Sequence, residues 1–231
     1  MTDMNIFFIG PGNNPKRLGG YFSNQAETDH HNIKYMSHKS KLNHIDTIDH
    51  VYCSFNLQEE IVFKFEKLMQ DWQHIDLLFY NSTGGWYPDN KDHYTSKTVV
   101  DDKQWHIGLD IHAVVPHILT CKALNFMNEN SKIIYMTSSA SYLITRDNYL
   151  DRAGYFGLKG AQNQLMRSFA AYNDKKATVT TFAPHIPYDE SEELSATIMD
   201  AIYDRAINLK KEDNGRIIQF YPPKGIPQYY A

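Results

Sequence analysis

Tyr155 and Lys159 stand four residues apart in the run Tyr155-Phe156-Gly157-Leu158-Lys159. On a helix that spacing puts a phenol and an ammonium on one face, about a turn apart. A free phenol, with a pKa of ~10, is a poor base at neutral pH, but a cation within a few ångströms favours the phenolate. Such a tyrosine can give and take a proton at a reacting oxygen. Upstream, Lys132-Ile133-Ile134-Tyr135-Met136-Thr137-Ser138-Ser139-Ala140-Ser141 reads as a strand ending in small hydroxyl residues. Ser139 then lies at a carboxyl edge, where its hydroxyl can hydrogen-bond a substrate oxygen; Ser138 and Ser141 are the alternatives. The Tyr/Lys pair by itself equally describes a solvated helix face, so the elements around it decide.

Those elements alternate. Short apolar runs at Asn5–Ile9, Ile33–Ser37, His50–Cys53, Ile75–Tyr80, Lys132–Thr137, Ala177–Phe182 and Arg216–Tyr221 read as strands. Between them Gln58–Trp72, Asp110–Met127, Tyr155–Tyr172 and Glu193–Leu209 carry apolar residues close to a 3.6 period. Strands alternating with helix-length segments argue for a parallel sheet covered on both faces, an α/β doubly wound domain with seven parallel strands. No repeat, Pro/Ser linker or charge block interrupts it, so 1–231 is expected to be one domain. Gly84–Asp102 is polar, carries Trp86, Tyr87 and Tyr94, and is expected to be a long loop with a short helix. It would lie at the carboxyl ends of the strands, where open α/β sheets bind ligands.

The composition narrows the partners. Twenty-three Lys+Arg against 27 Asp+Glu leave a net charge of −4, so no bulk positive field exists for a nucleic-acid backbone or an anionic membrane. A small molecule is the expected partner. No run approaches the ~18 apolar residues of a membrane span, and Ile6–Ile9 is too short for a signal peptide, which points to a cytoplasmic protein. Cys53 and Cys121 each lie in an apolar segment and are expected to be buried and reduced. Among the 11 histidines, His106 and Asp110 lack a third partner, and His112 and His117 are too far round a helix to share a ligand face, so no metal is expected.

Two further strand ends carry motifs. Ile9-Gly10-Pro11-Gly12 leads through Lys16-Arg17-Leu18-Gly19-Gly20 into a helix, and Asn81-Ser82-Thr83-Gly84-Gly85 ends the fourth strand. With the hydroxyl-rich strand end and the Tyr/Lys pair, this order of motifs resembles the short-chain dehydrogenase/reductase family over nearly the whole chain. The resemblance implies a Rossmann-like fold, a nicotinamide cofactor, and hydride transfer between it and a carbonyl/alcohol pair. Tyr155 matches the family's acid/base, Lys159 the lysine that lowers its pKa and binds the nicotinamide ribose, and Ser139 the serine that positions the substrate. Asn81, Thr83 and Gly84 match the turn on the adenosine side. Gly10, Gly12, Asn13, Arg17, Leu18 and Gly19 fall in the phosphate-binding turn, with Ser54, Thr137, Pro184 and Ile186 elsewhere along the cofactor.

The chain also departs from the family. Gly12 to Gly19 is one residue longer than the family spacing and Arg17 replaces a middle glycine, so Asn13 or Asn14 is expected to take the left-handed conformation there. Ser139 precedes Tyr155 by sixteen residues where the family habit is thirteen. Arg152 stands where an enoyl reductase would need tyrosine, and His185 replaces a glycine. The family's helix asparagine, whose freed backbone carbonyl holds a water, aligns with His112. Pro116 lacks the N–H that would bond the His112 carbonyl, so either that carbonyl holds the water or His112 is a packed helix residue. The second strand ends in Ser37-His38-Lys39-Ser40-Lys41 with no acid to receive ribose hydroxyls. His38, Lys39 and nearby Lys16 or Arg17 favour NADP over NAD.

Gly160, Ala161, Ala170 and Ala171 on the Tyr155 helix permit close helix packing, in a homodimer or homotetramer or within the chain. A short substrate-covering segment is expected at about 185–195, over a shallow pocket that the aromatic loop Trp86–Tyr94 or a neighbouring subunit would complete. The alternative from another class is a catalytically silent NAD(P)-binding regulatory protein of the same fold.

Overall fold

The computed structural model describes residues 3–11, 14, 16–37, 50–52, 58–81, 102–138, 153–184, 192–220 and 227–230. Strands β1 (Asn5–Ile9), β2 (Asn32–Ser37), β3 (His50–Tyr52), β4 (Leu77–Tyr80), β5 (Lys132–Met136), β6 (Thr178–Pro184), β7 (Ile217–Phe220) and β8 (Pro227–Tyr230) form one sheet in the order β3-β2-β1-β4-β5-β6-β7-β8. The seven strands expected from the sequence pair in parallel. An eighth, β8, adds antiparallel to β7. The sequence carries no strand signal at β8, because Pro227 and polar Gln228 break the apolar run that marks a buried strand.

Alternate residues of β1, β4 and β5 enter two separate cores. Phe7, Ile9, Leu78, Tyr80, Ile133 and Tyr135 pack on one face, while Ile6, Phe8, Leu77, Phe79, Ile134 and Met136 pack on the other. Burial on both sides explains why the strands read as nearly unbroken apolar runs. Helix α1 (Leu18–Thr28) covers the second face, where its Phe22 ring lies 5.2 Å from Phe8 and 4.3 Å from Phe79. Burying such a ring stabilises by about 1.5–3 kcal/mol. Helix α6 (Glu192–Ile207) joins it there through Ile198, Ile202 and Ala206. Helix α2 (Gln58–Leu68) lies on the first face through Ile61 and Phe65. It ends before Trp72, whose ring instead stands 5.2 Å from the Lys34 ammonium.

Also on the first face, a long helical run comprises α3 (Asp102–Leu109), a π turn (Asp110–Val114) and α4 (Val115–Ala123). Beside it runs α5 (Ala153–Tyr172). The segment Trp105–Phe126 is long and apolar enough by length and composition to cross a membrane, which the sequence reading did not anticipate. In this fold its Ile111, Val115, Leu119 and Ala123 pack into the core. Cys121 corrects another expectation: it is an exposed free thiol, because its position on α4 faces away from those core residues. Cys53 lies outside the described residues.

Candidate active site

The strand order reverses at β1 and β4, the place beyond whose carboxyl ends open α/β sheets bind ligands. Gly10 turns the chain there with φ of 76°, in the region that favours glycine. Its N–H donates to the Met36 carbonyl at 2.9 Å, tying the turn to β2. From the end of β4, Asn81 closes the other side: its N–H donates to Ile9 O at 2.8 Å and its Nδ2 to Gly10 O at 2.9 Å.

Gly19 explains how the lengthened turn approaches the sheet. A Cβ on Gly19 would lie 1.8 Å from the Pro11 carbonyl oxygen and 2.8 Å from Asn81 Nδ2, so only glycine permits this contact. The extra residue is absorbed by a side-chain turn. Asn14 Oδ1 accepts from Lys16 N–H at 2.9 Å while the Asn14 carbonyl accepts from Arg17 N–H at 3.0 Å. The described non-glycine residues with a left-handed backbone are His30 and Lys176. Asn13 lies outside the described residues.

Arg17, extended at φ −111° and ψ 153°, caps α1 without a side-chain bond, and the first turn of α1 carries no acid. Lys16 and Arg17 are exposed cations at the positive end of a helix dipole, an arrangement unfavourable for the helix alone. It fits an anionic group held by the first backbone N–H groups, as a dinucleotide phosphate would be. Asn81 Oδ1 and Thr137 Oγ1, both buried and unpaired among the described residues, add polar atoms at the ends of β4 and β5. The residues present thus fit the phosphate groups of such a ligand.

At the head of α5 the proposed acid/base residues converge. Tyr155 is half-buried in the first turn, and the Lys159 ammonium lies 5.8 Å from its ring centroid. Lys159 is fully buried and donates to the Met136 carbonyl at 2.8 Å and to Gln162 Oε1 at 3.2 Å. Burial pushes its ammonium down to about 7. His112, also fully buried, meets the Tyr155 ring edge-on, with centroids 6.3 Å apart at 87°.

The π turn is what presents His112. Val115 N–H reaches the Asp110 carbonyl, five residues back, and Pro116 has no N–H to offer. The carbonyl that takes a side-chain donor is consequently Ile111's, one residue earlier than the α register predicts, and the Tyr80 hydroxyl donates to it at 2.6 Å. Tyr135 beside Tyr80 is likewise engaged, its hydroxyl 2.5 Å from Thr120 Oγ1.

Of the other residues singled out from sequence, Leu18 opens α1 and Pro184 closes β6. Gly12, His38, Lys39, Ser54, Thr83, Gly84, Ser139 and Ile186 lie outside the described residues, as do the aromatic loop and most of the substrate-covering segment. Among the described residues no group of His, Cys, Asp or Glu has metal-binding geometry. Two residues near the site escaped sequence reading. Gln162, three after Lys159 on the same helix, was visible as a polar residue on an inward stripe; Tyr80 was not, because its partner depends on the π turn.

No protein-family model and no curated protein matches the sequence. Solved structures do match. A putative 3-oxoacyl-reductase from Bacillus thuringiensis superimposes with a TM-score of 0.76 at 13% identity, over 98% of this chain and 100% of that one. An oxidoreductase of the short-chain dehydrogenase/reductase family from Brucella ovis, with partially ordered NAD, gives 0.73 at 13% identity, over 94% and 99%. The NADPH-dependent 3-quinuclidinone reductase of Rhodotorula rubra gives 0.69 at 14% identity, over 94% and 90%. The chain has the fold of the short-chain dehydrogenases and reductases.

Proposed function

We propose that this chain is a divergent short-chain dehydrogenase/reductase that uses NADP to interconvert a carbonyl and an alcohol. The observation that carries the reading is the convergence of Tyr155, Lys159 and His112 at the head of α5, beside the same sheet whose strand ends carry the Gly10–Asn81 hydrogen bond. When bound, the nicotinamide supplies and accepts the hydride. Gly10, Gly12, Asn13, Arg17, Leu18 and Gly19 would hold its phosphates, and Asn81, Thr83 and Gly84 its adenosine side. Ser54, Thr137, Pro184 and Ile186 would line the remainder.

Tyr155 gives a proton to the substrate oxygen in reduction and takes one in oxidation. Lys159 stabilises the phenolate, because a nearby cation favours the charged form. Ser139 orients the substrate oxygen by hydrogen bonding. His112 keeps the Tyr155 ring in one plane through its edge-on contact. The Tyr80 hydroxyl on the Ile111 carbonyl keeps the π turn that aims His112 in place.

NADP is preferred to NAD because Lys16 and Arg17 are exposed beside the first turn, with His38 and Lys39 at the end of β2 in the sequence. Our reading also includes a homodimer or homotetramer packed along α5, on which a Cβ at Gly160 would meet nothing within 4 Å, and a cytoplasmic location.

The test is a thermal shift with NADPH and with NADH, followed by a panel of carbonyl substrates monitored by cofactor absorbance. A shift with NADPH and turnover on at least one carbonyl is expected. No shift with either cofactor overturns the cofactor assignment, and equal shifts overturn the preference. A shift without turnover favours a silent NAD(P)-binding regulator.

A further inference from the structure

Gln162 is fully buried on α5, yet only half of its amide has a partner. Lysine is donor-only, so the oxygen must face Lys159 Nζ, which leaves Nε2 buried without an acceptor among the described residues. An unsatisfied buried donor costs about 1–3 kcal/mol, and an apolar side chain at this position would avoid it. Gln162 is therefore a poor choice for packing and a specific one for Lys159.

The chemistry of these acceptors, two of the partners of Lys159, narrows the role. Met136 O and Gln162 Oε1, at 2.8 and 3.2 Å, are both neutral. They fix the ammonium's direction while bringing no formal charge. A glutamate would hold it equally well in geometry, but a carboxylate this close would strongly favour the charged lysine.

We infer, resting on the function proposed above, that Gln162 is a positioning residue: with the Met136 carbonyl it holds the Lys159 ammonium beside the Tyr155 ring without adding charge. The ionisable residues on the elements packed against α5 are Asp102, Lys103 and His106 on α3, Asp110 and His112 on the π turn, and Lys132 and Tyr135 on β5, with Tyr155 and Arg167 on α5 itself. Strand β6 brings none.

The test compares the full-length protein with Gln162→Glu and Gln162→Leu, each checked for folding by circular dichroism. Lys159 is titrated by NMR of labelled lysine side chains, assigned with Lys159→Met, in cofactor-free protein. The Glu variant is expected to raise the midpoint by at least about one pH unit, since an opposite charge this close shifts it by ~1–3. The Leu variant is expected to lower it, because an acceptor for the charged form is gone. In turnover the alkaline limb of kcat should move the same two ways, and the Leu variant should lose at least about tenfold in kcat with KM for the carbonyl unchanged. Both folded variants titrating with the wild type would overturn the inference. Absence of turnover in the wild type would overturn the enzymatic reading instead, and the titration would still decide whether Gln162 governs Lys159.

Discussion

The Lys159 ammonium lies 5.8 Å from the Tyr155 ring centroid, within the range at which a cation interacts with an aromatic ring. The pair that the sequence spacing suggested is therefore a pair in space. If Tyr155 is the acid/base, Tyr155→Phe keeps the ring and its packing but loses the proton. Turnover should fall by about 10²–10⁴-fold, while NADPH affinity measured by calorimetry stays within about threefold. Retained turnover would move the acid/base role elsewhere.

Lys159 also links the site to stability. Burial pushes it down to about 7 in the fold, against ~10.4 in the unfolded chain. Between those values the unfolded state binds more protons than the folded one, so stability rises with pH across that window. Tyr21 is held up at about 12 by burial and its bond to Asp200, and His31 is pushed below its usual value by burial. Neither titrates strongly between about pH 7.5 and 9. The unfolding free energy by urea should therefore rise more steeply over that interval in the wild type than in Lys159→Met, since the Cys121 thiol, raised by partial burial, and the Lys132 ammonium, lowered by it, contribute equally to both. A wild-type curve no steeper than that of the variant would contradict the assignment.

Gly19 lies close against the Pro11 backbone, with a Cβ position 1.8 Å from Pro11 O. Gly19→Ala cannot be accommodated without moving α1 from the sheet. Loss of stability by more than about 2 kcal/mol is expected, in the range of overpacking and backbone effects, together with loss of NADPH binding. A variant with unchanged Tm and affinity would show that the turn is pliable.

Helices α1 and α6 are joined by two phenol–carboxylate bonds, Tyr203 to Asp29 at 2.7 Å and Tyr21 to Asp200. The Tyr203 ring also meets Phe22 edge-on with centroids 5.1 Å apart. Tyr203→Phe keeps the ring contact and removes one bond to a charged acceptor, a loss of about 1–2 kcal/mol by denaturant unfolding. Tyr21→Phe should cost less, because this pair is exposed.

Gln219 on β7 is fully buried with both amide atoms unpaired among the described residues. Gln219→Met fills a similar volume without those atoms. The variant should be as stable as the wild type or more stable by about 1–2 kcal/mol, read from the midpoint of urea unfolding. A marked loss would show that the amide holds something in place.

The sheet and its helices were legible in the sequence because the central strands β1, β4 and β5 are buried on both faces while the helices bury one, so the apolar pattern separates them. Seven strands, the Tyr155–Lys159 spacing and the Gly10 and Asn81 strand ends are all properties of short segments. Other features depend on which groups meet across the fold. Strand β8 exists because β7 offers it an edge, not because Pro227–Tyr230 is apolar. The Ile111 carbonyl is engaged by Tyr80 because a π turn shifts the register by one. Gln162 acts on Lys159 because α5 buries both against Met136. Local pattern determined the elements and their order, whereas burial, close backbone approach and the choice among competing hydrogen-bond partners were decided by packing between residues distant in the chain.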